Sequence, residues 1–257
     1  MLRLTTDKNQ IERVLFADCP MQSIGIRMKM RALYKAYGLA HDFCSYYISQ
    51  DEQAAAVLYE GALFFSDTLY RSLHWEDSLS LLPVQNISSD TVLDLTGFAQ
   101  KSGTFFRYDN CALTDAPAVV HGKIEDAYRI LKQVFPETFC IGSESEQKEF
   151  YMQWYCEMSH RIRHGVTDVV ILDDKATATV FCIEDDAVFL SQIGVLPGLR
   201  GGGWGRKLLT AAMQSYVGKT CYVFSKNENA DRFYHALGFV PVGSWQDYFR
   251  KDQENDS

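Results

Sequence analysis

Val195-Leu196-Pro197-Gly198-Leu199-Arg200-Gly201-Gly202-Gly203-Trp204-Gly205-Arg206-Lys207 decides how the chain is read. A strand-like apolar run, Val188–Leu196, enters this glycine-rich loop. A helical pattern leaves it at once, with Leu208, Leu209, Ala212, Met213 and Tyr216 on one face. Glycine allows φ > 0 and lets a ligand approach the backbone amides without interference from a Cβ. A helix N-terminus adds unpaired N–H groups and a partial positive charge. Arg200, Arg206 and Lys207 concentrate further positive charge there, so the segment reads as an anion cradle suited to a pyrophosphate.

Two common phosphate loops do not fit. A Walker loop needs GxxxxGK[ST], but Leu208 follows Lys207. A dinucleotide fingerprint needs GxGxxG, but Arg206 stands where the last glycine belongs. The pattern [Q/R]xxGx[G/A] is matched in full by Arg200, Gly203 and Gly205. A second motif, Asn229-Ala230-Asp231-Arg232-Phe233-Tyr234-His235-Ala236-Leu237-Gly238-Phe239, follows after the space a helix and a strand require. Together they resemble motifs A and B of the GNAT N-acetyltransferase superfamily, and the resemblance covers about half the chain.

The surrounding elements agree. Ile124, Ala127, Tyr128, Leu131, Val134 and Phe135 share one helical face, as do Phe150, Tyr151, Trp154, Tyr155, Met158 and Ile162. Three strands are predicted at Asp168–Leu172, Thr177–Ile183 and Val188–Leu196, with short polar links that suit antiparallel hairpins. Beyond the glycine loop come a strand at Cys221–Phe224, a helix at Glu228–Leu237 and two strands at Val240–Ser244 and Tyr248–Arg250.

The resemblance implies an α+β fold: a mixed, largely antiparallel sheet flanked by helices. It implies an acyl-CoA-dependent transferase with acetyl-CoA as co-substrate, an amine as acceptor and no metal. The pantetheine arm would lie where the strand at 188–196 parts from that at 221–224. It would pair with the backbone of Ile193, Gly194 and Val195. The amides of Gly201, Gly202, Gly203, Trp204, Gly205, Arg206 and Lys207 would hold the pyrophosphate beside Arg200, and Asn229 would bond the arm. Tyr234 falls where relatives carry the acid that protonates the departing thiolate. A Gly203→Glu change is expected to abolish CoA binding with little loss of folding.

The general base is left open. Many relatives carry a glutamate on the strand before the loop, whereas Phe189–Gly194 holds no carboxylate. A water held by Ser191 or Gln192 could serve, as could Glu157, His160 or His164 on the second helix. Loss of turnover, leaving an acyl-CoA sensor or interaction protein, is the alternative.

The first half is predicted to hold helix over about residues 8 to 39. A strand pair follows, Ser45–Ser49 and Ala54–Phe65. This order repeats the opening of the second half, without a basic glycine turn. It reads as a smaller α/β domain, 1–115, a degenerate and partial copy of the same fold that does not bind CoA, with an unrelated α+β cap as the alternative. The transferase domain is placed at 116–251, with a polar tail at 252–257.

The chain has 257 residues, 47% hydrophobic, 23% charged, with a net charge of −8. No basic stripe offsets that charge, so nucleic acid is not the expected partner. No run of 18 apolar residues is present, and MLRLTTDKNQ lacks the apolar core of a secretory leader. Seven cysteines without a CxxC pair suit a reducing, cytoplasmic setting. No membrane contact is expected, and a homodimer is left open.

Overall fold

The computed structural model describes residues 2–39, 41–66, 82–109 and 120–251. The strands are β1 (Leu2–Leu4), β2 (Cys44–Ser49), β3 (Ala55–Tyr59), β4 (Ala62–Phe65), β5 (Asn86–Ser89), β6 (Phe98–Tyr108), β7 (Val120–His121), β8 (Asp168–Leu172), β9 (Ala176–Ile183), β10 (Ala187–Val195), β11 (Thr220–Phe224) and β12 (Val240–Arg250). The helices are α1 (Lys8–Leu15), α2 (Ile24–Tyr37), α3 (Ile124–Val134), α4 (Pro136–Phe139), α5 (Glu144–Arg163), α6 (Trp204–Ser215) and α7 (Glu228–Ala236). No described helix is long and apolar enough to cross a membrane.

The chain forms two compact units. The first takes residues Met1–Phe106, Phe224–Tyr234 and Val240–Ser257; the second takes Arg107–Val223 and His235–Phe239. These units follow packing and not chain order. The boundary placed at 115/116 and the tail at 252–257 lie outside the described residues.

In the first unit the strands run β1-β2-β3-β4-β5-β12-β6. Pairing is antiparallel from β1 through β4, then parallel between β4 and β5. Helix is not continuous over 8–39, because Pro20 interrupts it. Proline lacks an N–H and disfavours helix in the residue before it, so the chain breaks at 16–20 and restarts through a short 3-10 turn at Met21–Ser23. Asp7 caps α1 by accepting from the amides of Asn9 and Gln10. The run Ala54–Phe65 is likewise two strands. Glu60 and Gly61 take φ of 46° and 80°, a tight hairpin turn that reverses the chain. Ala56, Leu58, Leu63, Phe65, Ile87 and Tyr248 form the core beneath this sheet.

In the second unit the order is β11-β10-β9-β8-β7. The β8–β9 hairpin turns at Asp173 and Asp174, both at positive φ. At the sheet edge Asp168 accepts from Tyr216 and lies 2.6 Å from His121 Nδ1, tying β7 to β8 and to the end of α6. Ala127, Tyr128, Ile130, Leu131 and Val134 of α3 are buried, near the expected face. On α5 only Trp154, Met158 and Arg161 are buried, and Phe150 is 38% exposed. A capping box between Ser143 and Glu146 starts that helix.

The two units repeat one plan: strand, helices, three antiparallel strands, then a parallel strand. The directions for β1 to β5 match those for β7 to β11 pair by pair. The ending differs from expectation. Val240–Arg250 is one strand, not two, and it pairs with β5 of the first half through Asp247 and Ser88. Trp245, read as a break, is instead buried, and its indole N–H donates to the Ser225 carbonyl at 2.9 Å.

Candidate functional site

β10 supplies the first element. Its parallel pairing with β11 runs from Ala187↔Thr220 to Leu190↔Val223; no pairing with β11 extends to Ser191–Val195 among the described residues. On the other side Ser191↔Thr179 is followed by Gly194↔Thr177, so β10 uses one residue more than β9 there. That is a β-bulge, and Gln192 takes its left-handed position at φ 47°. Thr179 holds it, its hydroxyl donating to Gln192 Oε1 at 2.8 Å. Ser191, Gln192 and Ile193 are half-buried on the bulge, and Val195 is half-buried at the strand end. An extended ligand could add to this freed stretch of backbone as a strand would.

Gly194 has a packing reason for lacking a side chain. A Cβ there would meet Val134 Cγ1 of α3 at 2.9 Å. Gly194→Ala is expected to cost about 1–3 kcal/mol by overpacking, read as an earlier denaturant midpoint. An unchanged midpoint would show that Val134 moves aside freely.

The loop follows directly. A 3-10 turn at Pro197–Leu199 leads to Gly201 and Gly203, at φ of 81° and 80°, and Gly203 is the N-cap of α6. The amides from Gly203 to Arg206 therefore have no acceptor within the helix. At φ 80° any side chain at Gly203 is strained, so the expectation that Gly203→Glu leaves folding nearly intact does not hold.

The cations around the loop divide into two kinds. The arginines tie elements together. Arg200 reaches the carbonyls of Val195 and Val134 at 3.4 and 3.5 Å, and Arg206 donates to the Ala236 carbonyl at the end of α7 at 3.0 Å. Lys207 and Lys175 instead lie over the Trp204 ring, at 5.0 and 4.4 Å from its centroid. Lys175 was hidden in what reads as a plain polar link. Its turn is docked there by the Leu196 amide, which donates to the Lys175 carbonyl at 3.0 Å.

The second motif forms α7. Asn227 caps it, accepting from the Ala230 amide at 3.0 Å. Asn229 is exposed and accepts from Arg232. Asp231 accepts from the Ser225 hydroxyl. Tyr234 is 6% exposed and packs against Phe106 and Phe233, with ring centroids 5.6 and 5.4 Å away. Burial pushes its phenol pKa well above the usual value. Asn229 and Tyr234 group with the first unit, the loop and bulge with the second.

The candidate bases on α5 are differently placed. Glu157 pairs at 3.1 Å with Arg161, a buried guanidinium that also donates to the Phe181 carbonyl at 2.8 Å and stacks over the Phe181 ring. Its carboxylate is thus committed to offsetting a buried charge. His160 and His164 lie against each other, with ring centroids 4.4 Å apart. Among the described residues no group of three or more His, Cys, Asp or Glu is arranged to hold a metal ion.

The profile of the acetyltransferase (GNAT) family matches residues 124–239. Several solved structures share the fold over nearly the whole chain. A protein from Drosophila is 13% identical, with 96% of this chain and 98% of that one covered at a TM-score of 0.58. A tandem GNAT protein from the clavulanic acid biosynthesis pathway is 10% identical, with 96% and 98% covered at 0.54. A GCN5-related N-acetyltransferase from Sphaerobacter thermophilus is 11% identical, with 96% and 94% covered at 0.54. No curated protein matches the chain in sequence. Residues 124–239 thus form a segment matched by the GNAT acetyltransferase family, and the chain as a whole shares its fold with structures that include a tandem GNAT protein.

Proposed function

We propose that residues 116–251 transfer an acetyl group from acetyl-CoA to a primary amine of a small molecule or protein by direct attack, and that residues 1–115 are a degenerate copy that binds no CoA. The observation that carries this is the continuity of β10 with the loop. The strand bulges at Gln192, is unpaired with β11 beyond Leu190, and leads within a few residues to the open amides of α6. An acyl pantetheine needs extended backbone pairing; its pyrophosphate needs an amide cradle. Both requirements fall in that order along one segment.

In this reading the backbone of Ile193, Gly194 and Val195 aligns the arm, and an N–H near Val195 polarises the thioester carbonyl. The Gly202 and Lys207 amides already donate to the Leu199 and Gly203 carbonyls, so within Gly201–Lys207 the amides of Gly203, Trp204, Gly205 and Arg206 hold the pyrophosphate, with the Lys175 and Lys207 side chains adding charge. Asn229 bonds the arm, and Tyr234 protonates the thiolate. Ser191 is the better holder of a water that takes the amine proton. The Gln192 side-chain oxygen already accepts from Thr179. The cysteines seen at six described positions are all unbridged, in keeping with a reducing compartment such as the cytoplasm.

A second reading, an acyl-CoA sensor without turnover, is favoured by one observation: β10 has no carboxylate at the bulge, and Glu157 is held by Arg161. Thiol release from acetyl-CoA across a panel of small amines and amine-bearing peptides separates the two. Acceptor-dependent release is expected. CoA binding with no release for any acceptor would establish the sensor.

A further inference from the structure

Gln192 has only one end of its side chain committed. At the bulge of β10 it takes φ 47°, a left-handed conformation that a non-glycine residue rarely keeps unaided. The buried Thr179 hydroxyl of β9 donates to its Oε1 at 2.8 Å and fixes the carboxamide. Ser191 stands opposite Thr179 in the strand register, so the two side chains share one face of the sheet. With its oxygen taken, the carboxamide presents its two Nε2 donors away from Thr179. Among the described residues Nε2 has no hydrogen-bond partner, and Gln192 is half-buried, so the donors are within reach of a ligand. Neither β9 nor β10 carries an aspartate or glutamate, and Glu157 of α5 is held by Arg161. An ammonium at the bulge finds no carboxylate on these strands. A hydrogen-bond acceptor oxygen finds the Gln192 amide and the Ser191 hydroxyl.

We propose that Gln192 sets acceptor specificity. Its Nε2 donates to the carbonyl or carboxylate oxygen beside the reacting amine, which makes the acceptor an α-amino acid or a peptide amino-terminus and not a plain alkyl amine. The inference rests on the transferase reading, in which the arm runs back from the loop along Val195, Gly194 and Ile193 and brings its acyl end towards Gln192. The bond changes are those of that reaction. The amine nitrogen attacks the thioester carbonyl carbon, the N–C bond forms, the C–S bond breaks and CoA leaves as the thiol. An acceptor arriving as the ammonium gives up two protons, one to water and one that ends on the thiol. Gln192 exchanges no proton; it orients the acceptor. An acceptor without the oxygen leaves a desolvated donor unpaired, and that loss is the source of discrimination. Thr179 is the positioning residue, because it decides which end of the carboxamide faces the ligand.

Calorimetric titration of the full chain with CoA separates the two levels: no binding to wild type removes the transferase reading itself, whereas the rates that follow bear on Gln192 alone. Initial rates with acetyl-CoA are measured for two matched sets, alanine, alaninamide and ethylamine, and phenylalanine, phenylalaninamide and phenethylamine. Because these amines differ in basicity, the quantity compared is the ratio of kcat/KM within a set, wild type against variant. In Gln192→Met, which keeps the length and removes the donors, the preference for the oxygen-bearing amine over the plain amine is expected to fall at least about tenfold with CoA affinity unchanged. In Gln192→Glu the donors become a carboxylate, and the preference is expected to shift towards the plain amine. Thr179→Val frees the carboxamide and is expected to raise the acceptor KM while kcat changes little, a split that a general loss of packing would not give. Faster reaction of the amino acid than of its amide assigns the free carboxylate as the group recognised; the reverse order assigns a peptide amino-terminus. A wild-type protein that binds CoA yet acetylates none of the six or prefers the plain amines, or a Gln192→Met protein that keeps the wild-type ratios, would overturn the proposal.

Discussion

Tyr234→Phe is expected to lower kcat by about 10²–10⁴-fold while leaving acetyl-CoA affinity nearly unchanged, the signature of a lost general acid. A departing thiolate needs a proton, and the Tyr234 phenol keeps its own because burial raises its pKa. The sign matters for the pH profile. An acid works only while protonated, so a raised pKa moves its alkaline limb above the ordinary phenol range of about 10. kcat is therefore not expected to fall through this group between about pH 7 and 9. Phenylalanine keeps the ring beside Phe106 and Phe233, so stability should change by only about 1 kcal/mol. Steady-state kinetics and calorimetric CoA binding on both proteins make the comparison. An unchanged kcat at neutral pH would mean that the thiolate leaves unaided or takes its proton elsewhere.

Gly205→Glu is expected to weaken CoA binding by about 100-fold or more and to leave the fold intact. Gly205 lies in the first turn of α6, where the backbone is helical and a carboxylate is favoured by the helix dipole. The new charge would sit among the amides assigned to the pyrophosphate and repel it over a few ångströms, an effect of several kcal/mol at an effective dielectric of about 20. Gly203→Glu cannot be read so cleanly, since its φ of 80° adds strain of about 1–2 kcal/mol. Gly205→Ala is the control; it removes a helix glycine without adding charge and should bind CoA as wild type does. Calorimetry on the three proteins decides. A folded Gly205→Glu protein with wild-type affinity would place the phosphates elsewhere.

Much of the second half was legible because local signals agreed with the tertiary outcome. β8 falls where the run Asp168–Leu172 puts it, and Asp173-Asp174-Lys175 turns the chain there. The loop followed from glycine spacing, and α6 from the apolar face of Leu208, Leu209, Ala212 and Met213, which the structure buries. What was hidden depends on contacts distant in sequence. Nothing local marks Gln192 as the bulge residue, since a non-glycine at positive φ carries no compositional flag and Thr179 holds it from another strand. Arg161 reads as a surface residue until Glu157 and the Phe181 carbonyl are seen around it. Lys175 reads as turn chemistry until it is found over Trp204. Val240–Arg250 looked like two strands because its pairing partner, β5, lies about 150 residues earlier, as the Asp247–Ser88 bond with its separation of 159 shows. In the first half, Glu60-Gly61 and Pro20 were each enough to mark a break and were underweighted against the apolar runs they interrupt.

The transferase reading predicts one CoA site per chain, in the second half, and none in the first. Calorimetric titration of the full chain with CoA tests this most directly, with Gly205→Glu titrated alongside. The account predicts a stoichiometry of one that is lost in the variant. No binding to wild type, or a site that persists undiminished in Gly205→Glu, would contradict it.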